Sequence, residues 1–255
     1  MTPAARWDLR AGQFFFRRRN ALFPCIFVLV VPFLRPSVMF GDPPLDARLA
    51  ACGAAVAIAG ALVRLSTIGF QYIERGGKHR QIHASYLAQR GMYALTRNPM
   101  YVGNGLIAIG MVMVTGAFLS YVLLLPFFLF VYWSIVRAEE AYLLGRFGQT
   151  YAQYCASVPR FMPSRRGWGA AFAGIRYDWR RAIRKDLSTL AGLLTGLILL
   201  PLWRIFFLQG RAAAMAAAPR ALAMEAAMLG LFWWAVWLKK RRRFFYAPDE
   251  REALQ

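Results

Sequence analysis

The sequence predicts an all-α integral membrane protein: a polytopic bundle of about six transmembrane helices, with a helical hairpin and a site at its cytoplasmic mouth. Three observations lead there. The chain is 58% hydrophobic and 17% charged, whereas a soluble domain carries about a quarter charged residues. The apolar residues gather in blocks of the length a bilayer crossing needs, about 20 residues each. The net charge of +20 lies between those blocks. That is the pattern of positive cytoplasmic loops on an anionic membrane surface rather than of a nucleic-acid-binding face.

Taken in order, residues 1–20 are polar and basic and end in "FFFRRRN". Residues 21–40 form a first span, in which prolines interrupt a backbone that neighbouring helices can satisfy. "GDPPLDA", 41–47, is a short acidic turn. Residues 48–70 form a second span, rich in Ala and Gly and therefore suited to close helix packing. Residues 71–99 are a basic loop punctuated by Gly76, Gly77 and Gly91. The apolar run 100–137 is too long for one crossing, so it reads as a hairpin of two spans (about 100–117 and 119–137) turning at "TGAFLS". Residues 138–186 are polar, aromatic and basic, and "WRRAIRKD" within them reads as an amphipathic interfacial segment. Two further spans follow, about 187–208 and 221–238, before "KKRRR". This divides the chain into a core, 1–170, with motif segments 88–101 and 137–163, and a C-terminal part, 171–255. Every basic segment falls on one side, which places both termini in the cytoplasm, with a bacterial inner membrane as the expected location.

Several features have modest readings. Cys25 and Cys52 lie in apolar runs and read as small buried side chains. "LAAC", 49–52, resembles a lipoprotein processing box but stands far from the basic residues 17–19. His79 and His83 have the spacing of a helical metal pair, yet no acidic or cysteine ligand is near, so they read as part of a solvated basic loop. No metal is expected. A nicotinamide-dependent reductase finds no glycine-rich dinucleotide motif. Phe232, Trp233, Trp234 and Trp237 suggest a packing or interfacial band.

Two places concentrate polar chemistry at a membrane boundary. In "TRNPMYVGNG", 96–105, Arg97 and Asn98 stand just before Pro99, where the basic loop turns apolar. In "RAEEAYLLGRFGQTYAQYCASVPRFMP", 137–163, Glu139 and Glu140 stand where the fourth span ends. Adjacent helical residues point about 100° apart, so one carboxylate can face the bundle and the other the aqueous mouth; equally, both can offset Arg137 and Arg146. Leu143, Leu144, Phe147, Tyr151 and Tyr154 recur as one helical face that Val158 and Pro159 end. Arg64 lies inside the second span, where it either holds an anionic headgroup or snorkels to the interface; Arg160 has the same two readings.

"GMYALTRNPMYVG" followed, after a hairpin, by "EEAYLLGRFGQTYAQYCASVPRFMP" resembles the integral-membrane methyltransferases, the group of isoprenylcysteine carboxyl methyltransferases and phospholipid N-methyltransferases. The resemblance covers about residues 90–163. It implies that the two segments bind S-adenosylmethionine, with Gly91, Tyr93, Arg97, Asn98 and Tyr101 on one side and Glu139 and Glu140 on the other. Arg97 could pair with the cofactor carboxylate and a glutamate with its ammonium or ribose; Tyr93, Tyr101, Tyr151 or Tyr154 could stack on adenine or face the sulfonium. Arg97, Glu139 and Glu140 are the catalytic candidates. Arg64, Tyr154 and Arg160 are candidates for the lipid-like acceptor.

The family often has histidine where Asn98 stands. An amide donates and accepts but cannot titrate, so this position can bind and cannot remove a proton. That favours methylation of a carboxylate, isoprenylcysteine-like or fatty-acid-like, over phosphatidylethanolamine, whose ammonium needs a base. A non-catalytic lipid-binding protein of the same fold is the remaining reading. The last two spans could wall a lipid entrance or pack a homodimer.

Overall fold

The computed structural model describes residues 4–71 and 82–241. His79 and the Gly76–Gly77 pair lie outside the described residues, as do Arg242 and Arg243. Eight α-helices occur among the described residues: α1 Ala4–Val30, α2 Pro43–Phe70, α3 Met92–Leu95, α4 Pro99–Thr115, α5 Leu125–Ser157, α6 Trp168–Phe172, α7 Trp179–Gln209 and α8 Arg211–Lys240. The chain is a polytopic helical membrane protein. Four helical stretches are long and apolar enough to cross a membrane: α2, the continuous Ser120–Ser157, α7 and α8. A fifth, α4, is apolar but shorter.

Helix α4 and the hairpin turn lie close to the expected bounds, whereas α2 begins at Pro43, capped by Asp42, so most of the turn expected at 41–47 is its first turn. Gly116 takes a left-handed φ of 60° to end α4, and Thr115 Oγ1 lies 2.6 Å from Ser120 Oγ where the chain turns back. The first span differs. Its helix begins at Ala4 and stops at Val30, followed by a one-turn 3₁₀ helix, Val31–Phe33, and extended chain. Pro32 lies in that turn and cannot continue an α-helical ladder. The fourth span and the motif segment after it are one long helix, α5, broken only at Gly148. The amphipathic segment at 179–186 is likewise the first two turns of α7.

Small residues set the closest helix contact. A Cβ on Gly60 would lie 2.6 Å from the Gly103 carbonyl oxygen, and one on Gly110 would lie 2.3 Å from that of Gly53. Only the absence of side chains lets α2 and α4 approach this far, the usual route to tight packing where lipid supplies no hydrophobic drive. Ala57, Ala61, Val112 and Val114 fill the core beside this seam, joined by Leu193 and Leu200 of α7. Cys25 and Cys52, expected to be buried, are exposed. An apolar residue in a span has two suitable environments, lipid and protein, so hydrophobicity alone does not bury it. Trp233, Trp234 and Trp237 are exposed near the end of α8, as an interfacial band requires, and Arg241 stacks on Trp237 at 4.5 Å.

Arg64 is corrected by the structure. Its guanidinium neither snorkels nor faces an open site. Its Nε donates to Asp186 Oδ2 at 2.9 Å and its Nη2 pairs with Asp186 Oδ1, forming a two-point ion pair with α7. Further bonds reach Thr189 Oγ1 at 3.0 Å and Asn104 Oδ1 of α4. A second buried pair, Asp46 with Arg204, joins the other ends of α2 and α7. The acidic and basic partners are exchanged between the two pairs, so the helices are antiparallel. The members of each helix stand 18 residues apart, about 27 Å at 1.5 Å per residue, close to the thickness of a hydrocarbon core. Asp186→Ala strands the buried Arg64 charge. It is expected to destabilise the protein by about 3–5 kcal/mol, read as a lower unfolding temperature in detergent, whereas Asp186→Ala with Arg64→Met should recover much of that loss.

Candidate functional site

Segment 91–98 meets the end of α5 because the backbone ties them together. Arg97 N–H donates to the Pro159 carbonyl at 2.9 Å, Ser164 N–H donates to the Leu95 carbonyl at 2.8 Å, and Gly91 N–H donates to the Ala171 carbonyl at 2.8 Å. Buried Thr96 adds bonds from Oγ1 to the carbonyls of Arg160 and Phe161. Two segments some sixty residues apart in sequence thus form one strap.

Two backbone positions shape the strap. Gly91 has φ 56° and ψ −136°, in a region L side chains rarely adopt, and starts the short helix α3. Gly148, with φ 50° and ψ −124°, breaks α5. Beyond this break Tyr151 and Tyr154 are buried, while Leu144, expected on the same face, is 52% exposed. One uninterrupted helical face was the expectation, and the glycine divides it.

Glu140 is the hub. Arg160 pairs with it twice, Nη2 to Oε2 at 2.7 Å and Nε to Oε1 at 3.1 Å. Arg97 Nη1 lies 3.5 Å from Oε1. Asn98 Nδ2 donates to Oε1 at 3.3 Å and to the Arg160 carbonyl at 3.2 Å. Asn98 occupies the N-cap of α4, where asparagine usually bonds to the first turn, but its side chain makes no such bond. Its Nδ2 group serves the site instead. Burial lowers the Arg97 pKa, but the carboxylate of Glu140, with Cys155 and Tyr151 beside it, outweighs this and holds it above its ordinary value. The guanidinium is permanently charged.

Glu139 points elsewhere, as the 100° helical step requires. It accepts from the Tyr101 hydroxyl at 2.7 Å and lies 3.8 Å from Arg19 Nη1. Its side chain is 23% exposed, against 11% for Glu140. The structure therefore groups Arg97, Asn98, Arg160, Tyr151 and Tyr154 with Glu140, and Tyr101 with Glu139; Tyr93 joins through its carbonyl to Tyr154, and Gly91 is tied by its backbone to Ala171. Tyr154 uses its hydroxyl internally, donating to the Tyr93 carbonyl at 2.7 Å, and its ring stands 6.0 Å from that of Tyr151. Arg64 belongs to neither group. Arg19 is the residue that sequence reasoning missed: "FFFRRRN" read only as loop charge, and nothing in it tells which arginine turns inward.

The chemistry of the Glu140 cluster suits a zwitterionic nucleoside cofactor. Arg97 Nε is buried with no hydrogen-bond partner, a donor held ready for an anionic oxygen. Glu140 can accept from an ammonium, and Tyr151, Tyr154, Val158 and Phe147 form an apolar wall beside it.

The family model described as phospholipid methyltransferase matches residues 49–150. A curated relative, the protein-S-isoprenylcysteine O-methyltransferase of Schizosaccharomyces pombe, is 40% identical over 81 residues, 30% of this chain and 33% of that protein. The chain thus spans about a third of the length of that relative. No solved structure matches. The bond from Tyr154 to the Tyr93 carbonyl joins the aromatic wall to segment 91–98. Tyr154→Phe is expected to destabilise the fold by about 1–3 kcal/mol, measurable as a fall in unfolding temperature.

Proposed function

We propose that this chain, whose residues 49–150 match the phospholipid methyltransferase family model, is an S-adenosylmethionine-dependent membrane enzyme that methylates the carboxylate of a lipid-like acceptor. One observation carries the reading: segments 91–98 and 139–160 converge on a single buried carboxylate, Glu140, held by Arg97, Asn98 and Arg160. The name of the similar fission-yeast protein, an O-methyltransferase of isoprenylcysteine, supports the same acceptor chemistry.

S-adenosylmethionine supplies an electrophilic methyl group on a sulfonium. The residues of this chain do the rest by placement. Arg97 offers its charged fork, with the partnerless Nε, to the cofactor carboxylate. Glu140 offers its carboxylate to the cofactor ammonium, and Tyr151 and Tyr154 supply the aromatic wall. Glu139 and Tyr101 line the acceptor side. A carboxylate nucleophile is already ionised at neutral pH, so no proton has to be removed, which accords with an asparagine at position 98. Arg19, Arg97 and Arg160 outnumber Glu139 and Glu140, a balance that favours an anionic acceptor. Holding the reactants aligned and away from water is then the main source of rate. The loop charges of the sequence put this site on the cytoplasmic side, open to the cofactor from the cytosol and to the acceptor from the bilayer.

A second reading rests on Glu139. It is the more exposed of the two carboxylates and is bonded by Tyr101, so it can take a proton from an ammonium. The enzyme would then be a phosphatidylethanolamine N-methyltransferase. Incubation with labelled S-adenosylmethionine and total membrane lipid separates the two, because a methyl ester is released by base and a methylated amine is not. Cofactor binding without any labelled lipid would instead identify a non-catalytic lipid-binding protein. By calorimetry, the wild type is expected to bind S-adenosylhomocysteine, and Arg97→Ala and Glu140→Ala each to abolish that binding. Well-folded wild-type protein that gives no heat sinks the proposal. Under the second reading, Glu139→Gln is expected to keep cofactor affinity within a few fold and to lower methyl transfer by about ten-fold or more, because the base is lost.

A further inference from the structure

Helix α1 lies outside the matched stretch 49–150, yet it delivers a cation to the site. Its inward stripe is Asp8, Gly12, Phe16 and Arg19, spaced at helical steps of four and three. Asp8 pairs with Arg137 of α5 at 3.2 Å. A Cβ on Gly12 would lie 2.1 Å from the Ser134 carbonyl oxygen, so α1 and α5 cross in backbone contact there. Phe16 is 5% exposed and packs on Val131 and Ile135. Two turns beyond the crossing, this register brings Arg19 to the Glu139 side of the site. Arg17 and Arg18 of the same triplet are exposed.

The Arg19 head is fixed from three directions. It lies over the Phe16 ring at 4.0 Å, its Nη1 donates to the Tyr101 hydroxyl at 3.2 Å, and Glu139 stands at 3.8 Å. The Arg19 side chain is 20% exposed. Below it, Phe15, Phe127 and Leu22 form an apolar surface with Phe16. A fixed guanidinium above an aromatic, apolar floor matches an amphiphile with an anionic head and a hydrocarbon body.

We infer that Arg19 anchors the anionic oxygen group of the methyl acceptor, a carboxylate or a lipid phosphate, with the acceptor's apolar body along the partly buried Phe15 and Phe127. The inference rests on the reading that the Glu140 cluster holds S-adenosylmethionine. The neighbouring carboxylates then divide the work: Glu140 faces the cofactor, and Glu139, through Tyr101, holds the anchor in place. Arg19 binds rather than reacts, so its loss acts on acceptor affinity and not on cofactor affinity.

The test compares ligands with and without the anion, using the full chain in detergent. In one arm the probes are S-farnesylcysteine and its carboxamide; in the other, a long-chain lysophosphatidylethanolamine and the alkyl amine of the same length. The wild type is expected to favour the anionic probe by about ten-fold or more in one arm, the scale of a charge-assisted hydrogen bond, and that arm names the source of the anion. Arg19→Gln is expected to abolish the preference while S-adenosylhomocysteine affinity stays within about two-fold. Arg19→Lys, a point charge without the fork, is expected to keep only a few-fold preference, and it decides the matter if the Gln variant does not fold. A wild-type preference retained in the folded variant, or no preference in either arm of the wild type, overturns the inference. Failure of the underlying cofactor reading appears separately, as wild-type protein that does not bind S-adenosylhomocysteine.

Discussion

Arg64 stands in a membrane span with no water to hydrate its guanidinium, and Asp186 takes the place of that water. Stranding a charge in hydrocarbon is costly enough that intramembrane ionisable groups pair within the protein. Here the requirement is met twice between the same two helices, by Arg64 with Asp186 and by Asp46 with Arg204. The exchanged signs leave α7 one direction and one register against α2. A slip by a turn would separate both pairs at once.

The same constraint reaches the site by contact. Arg64 also bonds Asn104 on α4, six residues beyond Asn98, and Gly103 allows α4 to pass the Arg64 stem, where a Cβ would come within 2.6 Å of its Cγ. The glycine seam of α2 and α4 and the ion pair with α7 therefore orient the helix whose first residues carry Asn98 and Tyr101. The two C-terminal helices are not an appendage to this arrangement. Leu193 and Leu200 of α7 share the core of α2 and α4, and α8 packs outside α7, where Thr195 bonds Glu225 at 2.8 Å.

At the site the constraint operates on a smaller scale. Glu140 is 9% exposed and is held by two arginines and an amide, whereas Glu139, one residue earlier, reaches Tyr101 on α4 and Arg19 on α1. Adjacent positions on α5 thereby serve two sets of partners. A helix can do this because its 100° step turns neighbouring side chains to separate faces, with the backbone strap between 95–97 and 159–164 beside Glu140 and α1 beside Glu139.

The sequence by itself determined the elements and the ingredients of the site. Blocks of apolar residues long enough for a bilayer, a Gly/Ala-rich second helix, a turn at Gly116, and Arg97, Asn98 and the Glu139–Glu140 pair at membrane boundaries are all local patterns, and local patterns are written in composition and spacing. The 100° argument turned the two glutamates to different faces, and in the structure they have different partners. Only tertiary structure decided who their partners are. Arg64 and Arg160 each read as headgroup ligands or snorkelling side chains, but one found Asp186, 122 positions away, and the other Glu140. Cys25 and Cys52 face outward because lipid welcomes apolar side chains as well as a core does. Arg19 became part of the site because Gly12 lets α1 cross α5 in backbone contact, and no neighbour in the sequence of "FFFRRRN" encodes that crossing. Partners of a buried charge are chosen by which helices meet and in what register, a property of pairs of segments that no single segment carries.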